Sequence, residues 1–389
     1  MLEWLIIGGG IHGVHLAHAL VHRKKWRADT IRILDPHPAL LHVWCRQTAT
    51  TGMTFLRSPA AHHIGLTSSD LRTFAGTAPV RSFAQFALPH RRPSLRLFNH
   101  HARQIIRTHN LHTLHIQNRA TGFSFQDNRI CVDTQTGRLD ARRVLLATGP
   151  GEHLAWPDWA ALHRNNCRVH HIFDPDFHRN NLADWQHAVV IGAGLSASQI
   201  ALTLARQRPG AVTLLSRTTP SVDQFDIDPG WMAPKSLTRL HREQNYVKRR
   251  NMIRGGRHRG SITPNEAVEL RLARKRGLLT HFIAHLARVL PRRENLLELY
   301  LDTGDRLVTD LILLATGFEQ QRPGGTLLDR LIEQNNLPCA PCGFPIVNQQ
   351  LCWRKNLFVT GPLAELELGP PARNILGARH TAERLIAVD

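Results

Sequence analysis

The chain has 389 residues and an ordinary apolar share of 42%, so two or three domains can bury their cores without disulfide staples. Only six cysteines occur, which argues against a disulfide scaffold and favours a reducing, cytoplasmic location. The formal net charge of +19 keeps nucleic acid and acidic ligands among the partner classes to be considered.

Residues 2–35 have the pattern of a strand, a glycine turn, a helix and a second strand. The apolar run EWLII is typical of a buried parallel strand, and its acidic Glu3 does not fit a signal peptide. No apolar run in the chain reaches the ~18 residues that span a bilayer. We therefore expect a soluble protein without a membrane partner.

The turn GGGIHG places Gly8, Gly10 and Gly13 in a G-x-G-x-x-G pattern. In such a turn the first glycine permits a tight bend, the second lets the backbone approach a pyrophosphate, and the third lets helix and strand pack closely. Asp35 ends the next predicted strand, where a carboxylate binds ribose hydroxyls. The segment predicts a dinucleotide site.

A second segment of the same kind begins near Gln186 and contains Gly192, Gly194 and Ala197 in a G-x-G-x-x-A pattern. Its second strand ends in Ser216 and Arg217, where the first segment has an acid. A hydroxyl and a guanidinium would bind a 2′-phosphate that a carboxylate repels. The second site is therefore predicted to bind NADPH, and the first to bind FAD; a merely solvated Arg217 is the alternative.

An internal repeat supports two related domains. Residues 129–150 and 296–318 each predict a hairpin and a buried strand that ends in Leu-Leu-Ala-Thr-Gly, at Gly149 and Gly317. We predict an α/β fold with two Rossmann-like domains, each a parallel sheet with helices and a β-meander. The NADPH domain, residues 181–318 with an end near 300–318, is inserted between the two parts of the FAD domain, residues 1–180 and 319–389.

The chain resembles the flavoproteins with two dinucleotide-binding domains over most of its length. The motifs that carry this resemblance are, in chain order, GGGIHG, LLATGP, GAGLSA and LLATGF. Residues 43–75 resemble the flavin-side segment of flavin-dependent N-hydroxylating monooxygenases of the lysine and ornithine type. This resemblance implies FAD, NADPH, O₂ and a C4a-hydroperoxyflavin that hydroxylates a small molecule, an amine among the candidates. It implies no metal and no protein nucleophile.

The same resemblance gives Met53 and, in the linker RVHHIFDPDF, His171 as catalytic candidates. Histidine is abundant, at 25 of 389 residues, so a single His is a weak basis for a site. The chain departs from the wider superfamily at Gly361, which is followed by proline where an aspartate is usual. It is also shorter than typical N-hydroxylases, so their amine-binding residues cannot be carried over.

Three other segments leave alternatives open. Cys339 and Cys342 form a C-x-x-C pair that could be a redox dithiol of a flavoprotein reductase, part of a zinc site with Cys352, or loop structure. The basic residues 246–261 could bind NADPH phosphates, an anionic substrate or RNA, and a non-enzymatic nucleic-acid-binding protein is the second alternative, although no nucleic-acid motif is present. The acidic loop 221–237 could close over the nicotinamide, meet a cationic substrate or cap turns.

Overall fold

The computed structural model describes residues 1–24, 26–149, 153–182 and 184–387. Pro150, the last residue of the predicted LLATGP strand end, lies outside the described residues. Across the described ranges, no helix is both long and apolar enough to cross a bilayer.

The strands are short and rich in Leu, Ile and Val, which suits buried sheets. In chain order they are β1 Leu2–Ile7, β2 Ile31–Asp35, β3 Phe86–Ala87, β4 Arg92–Pro93, β5 His115–Gln117, β6 Ala120–Gln126, β7 Arg129–Thr134, β8 Gly137–Leu146, β9 Val169–His171, β10 Ala188–Ile191, β11 Val212–Ser216, β12 Thr280–Ile283, β13 Leu286–Pro291, β14 Leu297–Leu301, β15 Arg306–Thr309, β16 Leu311–Leu314, β17 Cys352–Arg354 and β18 Leu357–Val359.

Several helices begin at a capping side chain, as at Ser94, Asn245 and Thr263, whose oxygens accept backbone N–H groups of the first turn. The helices are α1 Ile11–His22, α2 His42–Thr51, α3 Asp70–Ala75, α4 Ala78–Arg81, α5 Leu95–Thr108, α6 Asp158–Ala161, α7 Leu195–Gln207, α8 Pro234–Arg242, α9 Tyr246–Gly255, α10 Pro264–Lys275, α11 Gly325–Asn335, α12 Glu365–Leu368 and α13 Ile375–Ile386.

The first sheet has the order β17-β18-β8-β1-β2-β5 and is extended by the antiparallel meander β6-β7-β8. Its central pairs, β1 with β2 and β1 with β8, are parallel. Side chains alternate along β1: Trp4 and Ile6 join one core, and Leu5 and Ile7 join the core on the opposite face. The C-terminal strand β18 pairs in parallel with β8, so the chain returns to the first sheet near its end.

The second sheet is parallel, with the order β12-β11-β10-β16-β9, and an antiparallel meander β13-β14-β15 lies beside it. The predicted α/β fold with two parallel sheets and two meanders is thereby confirmed. The sequence predicted a domain boundary at residues 180–181, and β9, which precedes that boundary, pairs with β16 in the second sheet. β9 has only three residues, too few for a hydrophobic pattern that would predict this long-range pairing. We propose that the second unit begins before Val169.

Candidate functional site

The first glycine turn joins β1 to α1 and leaves no room for side chains at two positions. Gly8 has φ +117°, and a Cβ there would collide with the carbonyl oxygen of Ala147. A Cβ at Gly13 would collide with the carbonyl oxygen of Gly8, whereas one at Gly10 would meet nothing within 4 Å. The N-terminus of α1 therefore faces open space with free backbone N–H groups, which is an anion-binding geometry.

Asp35 is held against this turn. Its Oδ2 accepts the N–H of Gly9 at 2.6 Å, and its Oδ1 accepts the backbone N–H of His37 at 2.9 Å and lies 2.7 Å from the Nδ1 of the same residue. A carboxylate oxygen has two acceptor positions. The carboxylate is thus oriented at the strand end while it keeps capacity for a ribose hydroxyl.

His12, which the sequence did not single out, connects the turn to the C-terminal segment. Its Nε2 lies 3.1 Å from the carbonyl oxygen of Asn374 and therefore donates, while its Nδ1 lies 2.9 Å from Thr360 Oγ1. Burial lowers the pKa of His12 to about 4, so the ring is neutral. Gly361, beside this ring, has φ +63°. Gly149, beyond β8, has φ +67°, and a Cβ on it would meet no atom within 4 Å.

The second glycine turn resembles the first at its first glycine and differs from it at the second. Gly192 has φ +150°, and a Cβ there would lie 2.7 Å from the carbonyl oxygen of Ala315 and 3.1 Å from the Cβ of Ala197. Gly194 lies under the basic segment, because a Cβ on it would be 3.4 Å from the Cα of Gly260. The N-terminus of α7 is therefore covered by the loop that follows α9.

Arg259 is the charged member of this covering loop, and its Nη2 donates to the carbonyl oxygen of Phe318 at 3.3 Å. Burial, followed by the positive charges of Arg373, Arg257 and Arg254, lowers the pKa of Arg259. Arg373 and Arg257 are paired with the carboxylates of Glu365 and Asp226. Arg259 is therefore a charged side chain of the covering loop that could pair with a phosphate group.

The two predicted residues at the end of β11 have different environments. Ser216 is 2% exposed, its Oγ donates to the carbonyl oxygen of Thr218 at 2.9 Å and lies 2.8 Å from Nε2 of His281. Arg217 is exposed, and no hydrogen-bond or ion-pair partner is found for it among the residues described. Of the two side chains, Arg217 is the one available to a ligand, while phosphate binding by Ser216 stays a prediction.

His171 and Met53, the two catalytic candidates, lie in different parts of the molecule. His171 is fully buried on β9, its Nδ1 accepts the N–H of Phe173 at 3.2 Å, and burial lowers its pKa to about 4. This placement favours a packing role for His171. Met53 follows Gly52, which packs so closely against α7 that a Cβ on it would collide with Thr203. Met53 therefore lies where α2 meets α7.

The backbone at Gly317 has φ +75° beyond β16, and its carbonyl oxygen accepts the N–H of Ala155 at 2.9 Å. A Cβ at Gly317 would meet nothing within 4 Å, as at Gly149 beyond β8. Gly149 and Gly317, which end the two copies of the repeat, thus have equivalent backbone geometry. Each leaves open space beside the glycine turn of its own sheet.

A small cleft lies between the C-terminal helix start, the segment after α2 and the acidic loop. It is lined by Arg57, Ser58, Pro59, His62, Phe225, Asp226, Ile227, Met232, Asn374 and Leu376. Asp226 accepts Nδ2 of Asn374 at 3.1 Å and Nη2 of Arg257 at 2.9 Å. Burial lowers the pKa of His62 to about 4, so the charged side chains that line this cleft are Arg57 and Asp226.

Arg57, also missed by the sequence reasoning, fixes the acidic loop above the cleft. Its Nη2 donates to the carbonyl oxygens of Asp223 at 2.6 Å and Phe225 at 2.8 Å, and to Ser261 Oγ at 2.7 Å. Within the same loop Asp228 Oδ1 accepts the N–H of Gly230 at 2.7 Å. The loop therefore combines turn capping, at Asp228, with a carboxylate that faces the cleft, at Asp226.

Several arginines of the basic segment, residues 246–261, make buried contacts within the protein. Arg250 lies 2.7 Å from Glu365, which also accepts two hydrogen bonds from Arg373. Arg249 donates to the carbonyl oxygens of Glu243 and Leu366. These buried guanidinium groups anchor α9 to the C-terminal segment, and they do not form a surface for nucleic acid.

The C-x-x-C pair lies in a hairpin turn in which Gly343 N–H binds the carbonyl oxygen of Ala340. Both thiols are free, and the Cys339 side chain packs against the core of the first sheet while Cys342 packs against a different core. Burial raises the pKa of the Cys339 thiol. A reactive dithiol needs a lowered thiol pKa, so this environment disfavours the redox interpretation.

Comparison with known proteins agrees with this architecture. Residues 5–275 match the sequence family of pyridine nucleotide-disulphide oxidoreductases. The fold superposes on the FAD-bound cadaverine monooxygenase of the desferrioxamine biosynthetic pathway from Erwinia amylovora with a TM-score of 0.76 and 16% identity, over 100% of this chain and 95% of that one. It superposes on an ornithine N-hydroxylase from Kutzneria sp. 744, in a structure with reduced FAD, NADP⁺ and L-ornithine, with a TM-score of 0.77 and 15% identity, over 100% and 98%.

A bacillithiol disulfide reductase from Staphylococcus aureus superposes less well, with a TM-score of 0.60 and 15% identity over 99% of this chain and 97% of that one. A search of curated protein sequences finds no match. At these identities the structural likeness establishes the shared fold.

Proposed function

This chain belongs to the pyridine nucleotide-disulphide oxidoreductase family, and we propose that it is an FAD- and NADPH-dependent monooxygenase that hydroxylates the nitrogen of a small amine. The observation that carries the proposal is the pair of unlike strand ends, an acid at Asp35 and a free cation at Arg217. The likeness to the cadaverine and ornithine enzymes over the whole chain supports the amine as substrate.

The first turn has the donors and the space that FAD needs. Gly10 leaves α1 open for the pyrophosphate, and Asp35 is positioned for the ribose. Thr148 Oγ1 is buried and has no hydrogen-bond partner among the described residues, so it offers one more polar contact beyond β8. When bound, FAD supplies hydride acceptance and oxygen activation, chemistry that protein side chains do not provide.

The second turn would hold NADPH through Gly192, Gly194, Ala197 and the backbone at Gly317. Arg217 would pair with the 2′-phosphate at the end of β11. Since Gly260 closely approaches Gly194, the covering loop has to shift for the pyrophosphate to reach α7. Arg259 on that loop would then pair with the pyrophosphate as it arrives.

The cleft beside Asn374 has a volume of about 10 Å³, room for about one water molecule, so it would have to widen to receive the amine. Asp226 would supply a carboxylate that orients a cationic substrate, which would compete for it with Arg257 and Asn374. Arg57 would keep the loop of Asp226 in place through its hydrogen bonds to the carbonyl oxygens of Asp223 and Phe225. We place the enzyme in the cytoplasm, in line with its free cysteines.

The test is product analysis with the flavin-loaded enzyme, NADPH, O₂ and one of cadaverine, ornithine or lysine. A hydroxylamine formed in proportion to NADPH oxidation is the expected result. Asp226→Asn should raise KM for the amine by about tenfold while flavin reduction by NADPH is unchanged. Formation of peroxide alone with every amine, or thiol-dependent turnover that Cys339→Ser abolishes, would overturn the proposal in favour of an oxidase or a disulfide reductase.

A further inference from the structure

Three histidines, one buried and two with exposed surface, meet at the far end of α1 from the glycine turn. His18 and His22 are one helical turn apart on α1, and His109 follows the last residue of α5. Their rings are 4.2 to 5.2 Å apart between centroids, and one ring nitrogen of each lies within 4.8 Å of the others. Two histidines at this helical spacing are a recurrent zinc-binding arrangement.

The hydrogen bond of His18 prepares it as a ligand. Its Nδ1 lies 3.3 Å from the carbonyl oxygen of Ile64, so Nδ1 carries the proton and Nε2 carries a lone pair. Nε2 is buried, and no described residue offers it a hydrogen-bond partner. A histidine that binds a metal through one nitrogen typically donates the other to a backbone carbonyl in this manner.

We infer that His18, His22 and His109 bind a divalent transition-metal ion of the zinc class, which fastens the end of α1 to the end of α5. Zinc–nitrogen bonds of 2.0–2.1 Å in tetrahedral geometry need nitrogens about 3.3 Å apart. His22 is exposed and His109 is half-buried, so both rings can rotate to close the remaining gap. Three protein ligands leave a fourth position for water.

A metal ion binds the lone pair of a neutral imidazole, and the hydrogen bond from Nδ1 of His18 to the carbonyl oxygen of Ile64 leaves that lone pair on Nε2. This site is separate from both glycine turns, and the proposed oxidation does not depend on it.

The experiment uses full-length protein without a histidine tag, stripped with EDTA and titrated with Co²⁺. One equivalent should bind with the visible absorption bands of a four-coordinate nitrogen site, and Zn²⁺ should displace it. His22→Ala and His109→Ala should each weaken binding by at least about tenfold. The exposed His112, which lies outside the group, provides the matched control, and His112→Ala should bind normally.

Thermal unfolding gives a second readout. Zn²⁺ should raise the apparent Tm of the wild type and of His112→Ala, but not of the two ligand variants. Equal flavin content in all four proteins would show that the variants fold. The inference is overturned if Co²⁺ shows no saturable binding of one equivalent, or if both ligand variants bind it as tightly as the wild type.

Discussion

Arg250 of α9 and Glu365 of α12 form a 2.7 Å ion pair in which the side chains are only 4% and 1% exposed. The second carboxylate oxygen of Glu365 accepts Nε of Arg373, and Arg373 also reaches the first. Arg250 additionally stacks on the ring of Phe344, with its guanidinium carbon 4.0 Å from the ring centroid. One carboxylate thus holds the inserted helix α9 to the segment that carries Gly361 and Asn374.

Glu365→Gln should destabilise the protein strongly, because two guanidinium groups would remain without a compensating charge. Removal of one partner from a buried ion pair costs about 3–5 kcal/mol. Glu269→Gln is the matched control, since its pair with Arg206 is about half exposed and should contribute at most about 1 kcal/mol. Apparent Tm values at one scan rate would show the difference, and equal losses in the two variants would contradict it.

Gly10→Ala and Gly13→Ala separate ligand binding from folding at the first turn. Gly10 has an extended backbone, and a methyl group there meets no protein atom, so Gly10→Ala should fold normally but obstruct the pyrophosphate. Gly13→Ala collides with the carbonyl oxygen of Gly8 and should lose about 1–3 kcal/mol. Flavin content and the Tm of the flavin-free protein are the measurements. Normal flavin affinity in Gly10→Ala would contradict the assignment.

Arg217→Ala should reduce kcat/KM for NADPH by roughly 10- to 100-fold, because a hydrogen bond to a charged group contributes about 1.5–3 kcal/mol. Turnover with NADH, which has no 2′-phosphate, should be unchanged. Arg271→Ala, an exposed arginine on α10, controls for a general loss of positive charge. An equal loss with both nucleotides would show that Arg217 does not recognise the 2′-phosphate.

The local parts of the fold were predictable from sequence because short segments determine them. The strand, turn, helix and acid around Gly8 to Asp35 follow from spacing alone, and the hairpin repeat identified both meanders. Contacts between distant segments were not predictable: Arg57 binds the loop at Asp223, and Glu365 binds Arg250. The basic segment illustrates the difference, since a charge count cannot distinguish a solvated arginine from one that is buried against a carboxylate.

Buried histidines should make stability depend on pH between 6.5 and 4. Burial lowers the pKa to about 3 or about 4 for His12, His15, His18, His62, His63, His101 and His171. The ordinary value of 6.5 applies to the unfolded chain, which therefore takes up more protons than the folded chain as the pH falls below 6.5. This contribution to stability is complete above pH 6.5 and is lost as the pH falls through the folded-state pKa values.

The apparent Tm in EDTA should therefore be nearly constant from pH 7 to 8 and fall progressively between pH 6.5 and 4. Each histidine that is protonated in the unfolded chain alone adds about 1.4 kcal/mol per pH unit to the slope. His63 is a good test, because its Nδ1 accepts the N–H of Gly65 at 3.0 Å and loses that role on protonation. His63→Gln should make the slope shallower, and His112→Gln should leave it unchanged. A Tm that stays flat down to pH 5 would mean that these rings gain protons without unfolding.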